Sequence, residues 1–358
     1  MRLALLTSGL TGYLDATLCA LADRNVDMFV AAKMNRDNVA YEAFGIESRA
    51  QMWPWLEDPD PRELVERVNE FRPDAVMMHS WEFRPYRAVM RSLRGKAVRV
   101  LWMDNPWRET PRQWVARATS WAYLKPCFDA ALVPSDRTEA FARRLGYSAS
   151  EVIRGSLTAN VPLFEAEPVS GGELRRRARF MSVMRMVHHK GPDVLAEAYA
   201  EYRGLVPEPW DLDVVGLGPL ASVFDDIPGV RHHGFLQPPE VAELMKQVSC
   251  YINPSRIEPY GVVLHEAAAA ALPLLTSDLV GAAPTMVQDG YNGWIVESDR
   301  PHLLAQAMAR VSTSDDDRLA EMSATSHSIA QRLNPAGWAR NLHEDLQRRV
   351  DALRLANA

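Results

Sequence analysis

Asn253-Pro254-Ser255-Arg256-Ile257-Glu258-Pro259-Tyr260-Gly261-Val262-Val263-Leu264-His265-Glu266-Ala267 carries two glutamates separated by seven residues. The apolar run Cys250 to Asn253 reads as a strand, and Val262 to Ala271 reads as a helix. Glu258 therefore falls on the loop after a strand. Gly261 stands where the loop enters the helix and permits close backbone approach. Glu266 lies inside the helix. A helix N-terminus presents unpaired N–H groups and the positive end of a dipole, which suits a phosphate. A carboxylate about one turn further in accepts hydrogen bonds from vicinal hydroxyls such as those of a ribose. A second carboxylate on the preceding loop is placed for another polyol.

Outward from this segment, strands and helices alternate. On the C-terminal side of the chain, strands are expected at Phe180 to Met184, Leu212 to Val215, Leu274 to Thr276 and Trp294 to Val296, with helices at Pro192 to Tyr202 and Pro239 to Gln247. The N-terminal half has the same rhythm. Strands fall at Leu3 to Thr7, Asp27 to Ala31, Ala75 to His79, Ala97 to Met103 and Ala130 to Val133. Helices fall along Leu14, Leu18 and Leu21, at Pro61 to Phe71 and at Tyr86 to Leu93. Such alternation implies parallel sheets covered by helices on both faces. Asn160 to Gly172, with its prolines and Ser170-Gly171-Gly172, reads as a linker. The expectation is an α/β chain of two Rossmann-like, doubly wound domains, residues 1–165 and 166–335, with an interdomain cleft. Trp338, Leu342 and Leu346 have helical spacing, so residues 336–358 are expected to close the chain as a helix.

Composition narrows the function classes. Hydrophobic content of 47% and charged content of 24% suit a globular enzyme, and 358 residues suit two domains. A net charge of −6 gives no support for general nucleic-acid binding. Cys19, Cys127 and Cys250 are scattered and odd in number, which excludes a disulfide framework and suits a reducing cytoplasm. The N-terminal apolar run and Ala267 to Leu275 are both too short for a leader or a membrane span.

The quoted segment resembles the glutamate–seven residues–glutamate motif of retaining glycosyltransferases with the GT-B fold, family 4. Further stretches share the resemblance in the family's order. Phe180 to Gly191 is similar to its strand, arginine and lysine-glycine. Leu212 to Pro219 is similar to its Gly-x-Gly-Pro turn, and Val230 to Phe235 to the strand passing near the base. Asp289-Gly290-Tyr291-Asn292-Gly293 is similar to its Asp-Gly-x-Asn-Gly stretch. The resemblance implies a sugar transferred from a nucleotide diphosphate to an acceptor hydroxyl with retention. Arg185 and Lys190 would bind the donor diphosphate, Glu266 the ribose and Glu258 the transferred sugar. Backbone at Tyr260, Gly261 and Val262 would line the diphosphate pocket, and Gly216 and Gly234 would lie on the donor side. Two fixed cations at a leaving diphosphate stabilise the transition state more than the ground state. With that machinery no metal or other cofactor is expected, and no Asp-x-Asp motif is present.

The chain departs from the family in places. Asp104 stands near the position of an N-terminal-domain histidine, and Ala271 where a glycine is usual. Gly281-Ala282-Ala283 replaces a Gly-Gly pair followed by a glutamate. These changes leave donor sugar and base open. Two rivals share the fold: a nucleotide-sugar epimerase and a non-catalytic nucleotide-sugar-binding module.

Other features have plainer readings beside the functional one. Gly216-Leu217-Gly218-Pro219-Leu220-Ala221 fits a dinucleotide fingerprint, but it lies after a mid-domain strand with no acid ending the next one. His188-His189 and His232-His233 cannot easily chelate a metal as adjacent residues of a strand. On the acceptor side Gly12, His79, Trp107 and Asp104 are candidates, and seven of ten tryptophans lie between Trp53 and Trp121. Core packing is the commoner use of such aromatics. The acceptor is a glycan, a lipid-linked sugar or a small molecule. Arg84, Arg87, Arg91 and Arg94 lie in an acid-free stretch whose default is a solvated face; the alternative is peripheral contact with the inner membrane face of a cytoplasmic protein.

Overall fold

A computed structural model describes residues 1–33, 44–55, 58–155 and 157–358. The chain divides into two compact units, Met1–Leu157 with Pro335–Ala358, and Thr158–Asn334. The change thus falls a few residues before the boundary expected near 165.

The first unit begins with β1 (Arg2–Thr7), α1 (Gly12–Ala22), β2 (Asp27–Lys33), β3 (Gln51–Trp55) and α2 (Pro61–Phe71). It continues with β4 (Ala75–His79), α3 (Arg84–Ser92), β5 (Val98–Trp102), α4 (Pro111–Tyr123), β6 (Ala130–Val133), α5 (Asp136–Arg144) and β7 (Val152–Arg154). All strands pair in parallel, in the order β3-β2-β1-β4-β5-β6-β7. The near-continuous apolar runs of the inner strands reflect burial on both faces, while the edge strand β3 leaves Gln51 and Pro54 exposed. Chain order reverses between β1 and β4, so the loops after these strands diverge and open a crevice. His79 ends β4, and Gly12 opens α1 after the loop that follows β1. Tyr86 fixes this end of the sheet: its hydroxyl donates to the Thr7 carbonyl at 2.8 Å and accepts from Trp55 Nε1 at 2.9 Å.

The second unit contains α6 (Val161–Phe164), α7 (Gly171–Arg177), β8 (Arg179–Val183), α8 (Pro192–Leu205), β9 (Asp211–Val215), β10 (Val230–His232) and α9 (Pro238–Met245). It then forms β11 (Cys250–Asn253), α10 (Val262–Ala269), β12 (Leu274–Ser277), α11 (Ala283–Met286), β13 (Gly293–Val296), α12 (Pro301–Ser312) and α13 (Asp316–Gln331). Its parallel sheet runs β10-β9-β8-β11-β12-β13 and reverses between β8 and β11. The last helix, α14 (Pro335–Asn357), belongs to the first unit, where Trp338 packs against Trp102 with ring centroids 5.9 Å apart.

The segment expected as a linker is structured at both ends. Val161–Phe164 forms a helical turn, and Ser170 caps α7 by accepting from the Glu173 N–H. Gly171 is required there because a Cβ would lie 1.9 Å from the Asp316 carbonyl oxygen. The expected strand to Phe235 ends at His232. The two histidine pairs also resolve: His188 and His189 lie on a 3-10 turn, not a strand, while His232 bonds the Gly216 carbonyl and His233 the buried Asp213.

Candidate functional site

The reversal between β8 and β11 sends their two following loops side by side, and these loops hold Arg185, Lys190, Glu258, Tyr260 and Gly261. After β8 the chain does not leave the sheet at once. Met184 N–H donates to Val215 and Met186 N–H to Leu217, which continues the pairing beyond the strand. Gly216 and Gly218, at φ 130° and 153°, make this possible. A Cβ on them would fall 1.8 Å from the Met184 oxygen and 2.4 Å from the Met186 oxygen. Gly216 N–H donates to the Gly234 carbonyl at 2.6 Å. The glycines thus shape the loop that presents Arg185 to solvent and returns through His188–Lys190.

The loop after β11 lies against it. Ile257 N–H donates to the His189 carbonyl at 3.0 Å, and Gly191 approaches so closely that a Cβ would stand 2.6 Å from the Pro254 oxygen. Lys190 Nζ ion-pairs with Glu258 Oε2. His189 is held below its usual basicity by burial first, then by the charges of Lys190 and Arg185. Lys190 and Arg185 thus bring two positive charges to the strand ends beside His189.

Arg256 was not singled out from the sequence, yet it is the bolt of this assembly. Its guanidinium grips Asp193 through two bonds of 2.7 Å, donates to Asp299 at 2.7 Å and to the His188 carbonyl at 2.9 Å. It joins the start of α8, the 3-10 turn and the loop before α12. A planar fork with five donors suits this task, which a lysine does not match. The only sequence signal for it was an arginine in the middle of the glutamate motif.

At the entry to α10, Gly261 adopts φ 89°, and a Cβ there would lie 2.9 Å from both Glu258 Cγ and Val280 Cγ1. Glu258 and Tyr260 are fastened from the other side, their carbonyls accepting from Gly281 at 3.0 Å and Ala282 at 2.7 Å. Tyr260 and Val262 are buried. The first N–H groups of α10 therefore open beside the Lys190–Glu258 pair. Glu266 sits on the same helix with a partly accessible edge, and its carboxyl has no ion pair or hydrogen bond among the described residues. Protein atoms otherwise surround it, and this desolvation raises its pKa to about 8. Its neighbour His265 is buried, accepts from the Ala159 N–H at 3.0 Å and bonds the Ala330 carbonyl at 3.1 Å.

In the first unit, Asp104 and Trp102 help line a cavity of about 210 Å³. His79 Nε2 lies 3.8 Å from Asp104 Oδ2. Trp107 stands behind the cavity wall, with its ring 5.3 Å from that of Phe141, which lines it. Gly12 begins α1 and is not among the lining residues. The basic face expected on α3 needs correction. Arg84, Arg91 and Arg94 are exposed, but Arg94 lies beyond the helix end. Arg87 is buried, its guanidinium stacked 4.4 Å over the Tyr123 ring, because the helix turns it toward α4.

Residues 177–314 match the family model of glycosyl transferases group 1. The UDP-N-acetylglucosamine–peptide N-acetylglucosaminyltransferase GtfA subunit of Streptococcus pneumoniae is 27% identical over 168 residues, 44% of this chain and 33% of that protein. A D-inositol 3-phosphate glycosyltransferase of Thermobifida fusca is 29% identical over 189 residues, 47% of this chain and 43% of that protein. The chain thus spans less than half the length of these curated relatives. Among solved structures, Anabaena HepE in complex with UDP and glucose superposes with a TM-score of 0.74 at 17% identity, covering 97% of this chain and 99% of that one.

Proposed function

We propose, from the glycosyl transferases group 1 domain in the second unit and the GT-B fold of the chain, that this protein is a retaining glycosyltransferase using a nucleotide-diphosphate sugar. The observation that carries the reading is the convergence of Lys190, Glu258 and the N-terminus of α10 where the sheet reverses, with Glu266 on the same helix.

The donor diphosphate lies between the α10 N-terminus and the cations Arg185 and Lys190. As the anomeric C–O bond breaks, negative charge grows on the departing phosphate, and cations held beside it would stabilise that charge. They supply the charge neutralisation that a metal ion supplies elsewhere, so the proposed reaction is metal-independent. Glu266 holds the ribose hydroxyls and Glu258 those of the sugar. The acceptor oxygen bonds to the anomeric carbon on the face the phosphate leaves, and the acceptor proton passes to the leaving phosphate oxygen. Configuration is thereby retained without a carboxylate nucleophile. The first unit takes the acceptor, a glycan, a lipid-linked sugar or a small molecule, with Asp104 and His79 beside it. No helix among the described residues is long and apolar enough to cross a membrane. Cytoplasmic placement, with peripheral membrane contact through Arg84, Arg91 and Arg94, belongs to the same proposal.

UDP is the first nucleotide to test, since the HepE and GtfA structures carry it. Thermal shift with UDP, GDP and ADP should show one diphosphate that stabilises the chain, by mass action, and less so in Glu266→Ala. NMR of the product formed from the matching donor should show the anomeric configuration of the donor, with turnover unchanged by chelator. Inverted product, or no binding of any nucleoside diphosphate at millimolar concentration, would overturn the reading. A free epimerised sugar made without acceptor would favour the epimerase.

A further inference from the structure

Helix α4 is built inside out. Its inward positions are Gln113, Ser120 and the capping Leu124, while Trp114, Val115 and Trp121 are 47%, 63% and 75% exposed. Gln113 satisfies itself on the loop before the helix, accepting from the Arg108 N–H at 2.7 Å and donating to the Pro106 carbonyl at 2.8 Å. Trp114 and Trp121, seven apart, stand in line along the outer face with Ala118 between them. Exposing two tryptophans on one helix forfeits burial of large apolar area, so the face calls for a partner.

Charge states which partner. No aspartate or glutamate occurs from Phe83 to Met103, nor from Thr110 to Phe128, in a chain whose net charge is −6. Among the described residues, Arg84, Arg91 and Arg94 make no ion pair, and Arg117 leans on the Trp114 ring at 5.2 Å. The two helices meet where Arg87 stacks on Tyr123, and Arg87 Nε and Nη1 are buried without a hydrogen-bond partner. Arg112 on α4 is paired with the exposed Glu82 before α3, while Arg84, Arg91 and Arg94 stay unpaired among the described residues. This arginine-rich surface lies beside exposed tryptophans and complements a layer of phosphates above hydrocarbon, where indole rings settle at the boundary.

We propose that the outer face of α4, with the arginines of α3, docks the first unit onto an anionic phospholipid bilayer, with Trp114 and Trp121 entering the headgroup region. The inference extends the peripheral contact proposed above and is independent of the donor chemistry.

The test uses the full chain and vesicles of phosphatidylcholine with or without phosphatidylglycerol. The chain should float with the anionic vesicles, be released by high salt, and have its tryptophan fluorescence quenched by brominated lipid. Trp114→Gln with Trp121→Gln should weaken binding by about tenfold or more, while thermal unfolding and nucleoside diphosphate binding stay unchanged. Equal binding to neutral vesicles, or equal binding by the double variant, would overturn the proposal. So would a wild-type dimer in solution that the double variant dissolves, since the face would then be occupied by a second copy. Because vesicle binding needs no turnover, its failure is separable from failure of the transferase reading.

Discussion

Lys190 Nζ and Glu258 Oε2 are ion partners, with side chains only 16% and 15% exposed, although one is assigned to the donor diphosphate and the other to the donor sugar. A phosphate and a carboxylate then compete for one ammonium. Glu258→Gln leaves the lysine free for phosphate, so nucleoside diphosphate should bind several-fold tighter while sugar transfer falls by a factor of 100 or more, roughly, as the sugar loses its anchor. Lys190→Ala should weaken the same ligand by about tenfold or more. Titration calorimetry with both variants checks this; tighter binding in neither, or equal loss in both, would show that the pair is structural.

Ala271 adopts φ 57°, a left-handed conformation at the end of the α10 segment. An alanine there crowds its Cβ against the backbone, whereas glycine does not. Its carbonyl is also fixed, accepting from Ser323 Oγ at 2.7 Å, so the strain cannot relax by rotation. Ala271→Gly should stabilise the chain by about 0.5–1 kcal/mol, the relief exceeding the added unfolded-state entropy. Urea melts of the two proteins measure it, and a loss of stability would show that the position is unstrained.

How far the chain was legible follows from what hydrophobic periodicity records. The inner strands of both sheets stand out as short apolar runs, since parallel strands are buried on both faces, whereas the edge strands β3 (Gln51–Trp55) and β7 (Val152–Arg154) are not among the expected strands. Helix α4 shows no apolar stripe because its inward positions are Gln113 and Ser120, and α5, α12 and α13 are likewise absent from the expected helices. In α13, Ser323 bonds Ala271 and Ser326 bonds Asn292, so two buried serines interrupt the apolar stripe of Leu319, Met322, Ile329 and Ala330. The donor carboxylates and lysine could be picked out because a fixed spacing across a strand–loop–helix junction has a chemical meaning. Arg256 had none: its work is to tie Asp193, Asp299 and His188 together, and partners scattered along the chain leave no local pattern. Arg87 defies the default of a solvated basic residue on a helix, because the Tyr123 ring offers it a buried seat.

Glu266 makes donor binding depend on pH. Burial raises its carboxyl to about 8, against an ordinary 4.5. Between these values the folded chain holds a proton that the unfolded chain has lost, so this group's contribution to stability declines as pH rises through the window. Ribose hydroxyls donate to the ionised carboxylate, so nucleotide affinity should climb from about pH 6 and level off above about pH 8, at most roughly tenfold per unit. Binding near neutrality should release a proton, visible as a buffer-dependent enthalpy. Glu266→Gln should bind more weakly and with a flat profile. An equally flat profile in the wild type would sever Glu266 from the ribose.

His265 sets an acid limit on the same helix. Nδ1 accepts from the Ala159 N–H, so Nε2 carries the proton that it donates to Ala330. Both bonds require a neutral ring, and burial lowers its pKa from the ordinary 6.5. Above that value neither folded nor unfolded chain protonates it, and its contribution to stability is complete. As pH falls through it, the unfolded chain takes a proton that the folded one refuses, so stability is lost until the lowered folded value is reached. His265→Asn should cost about 1–3 kcal/mol at neutral pH through weakened bonds to Ala159 and Ala330. The variant should nevertheless lose less on acidification, and the two curves should draw together as pH falls below the ordinary histidine value. Urea melts across that range measure both slopes. Parallel slopes would mean that acid sensitivity arises elsewhere, leaving His265 a packing residue whose two hydrogen bonds do not govern how α10 holds Glu266.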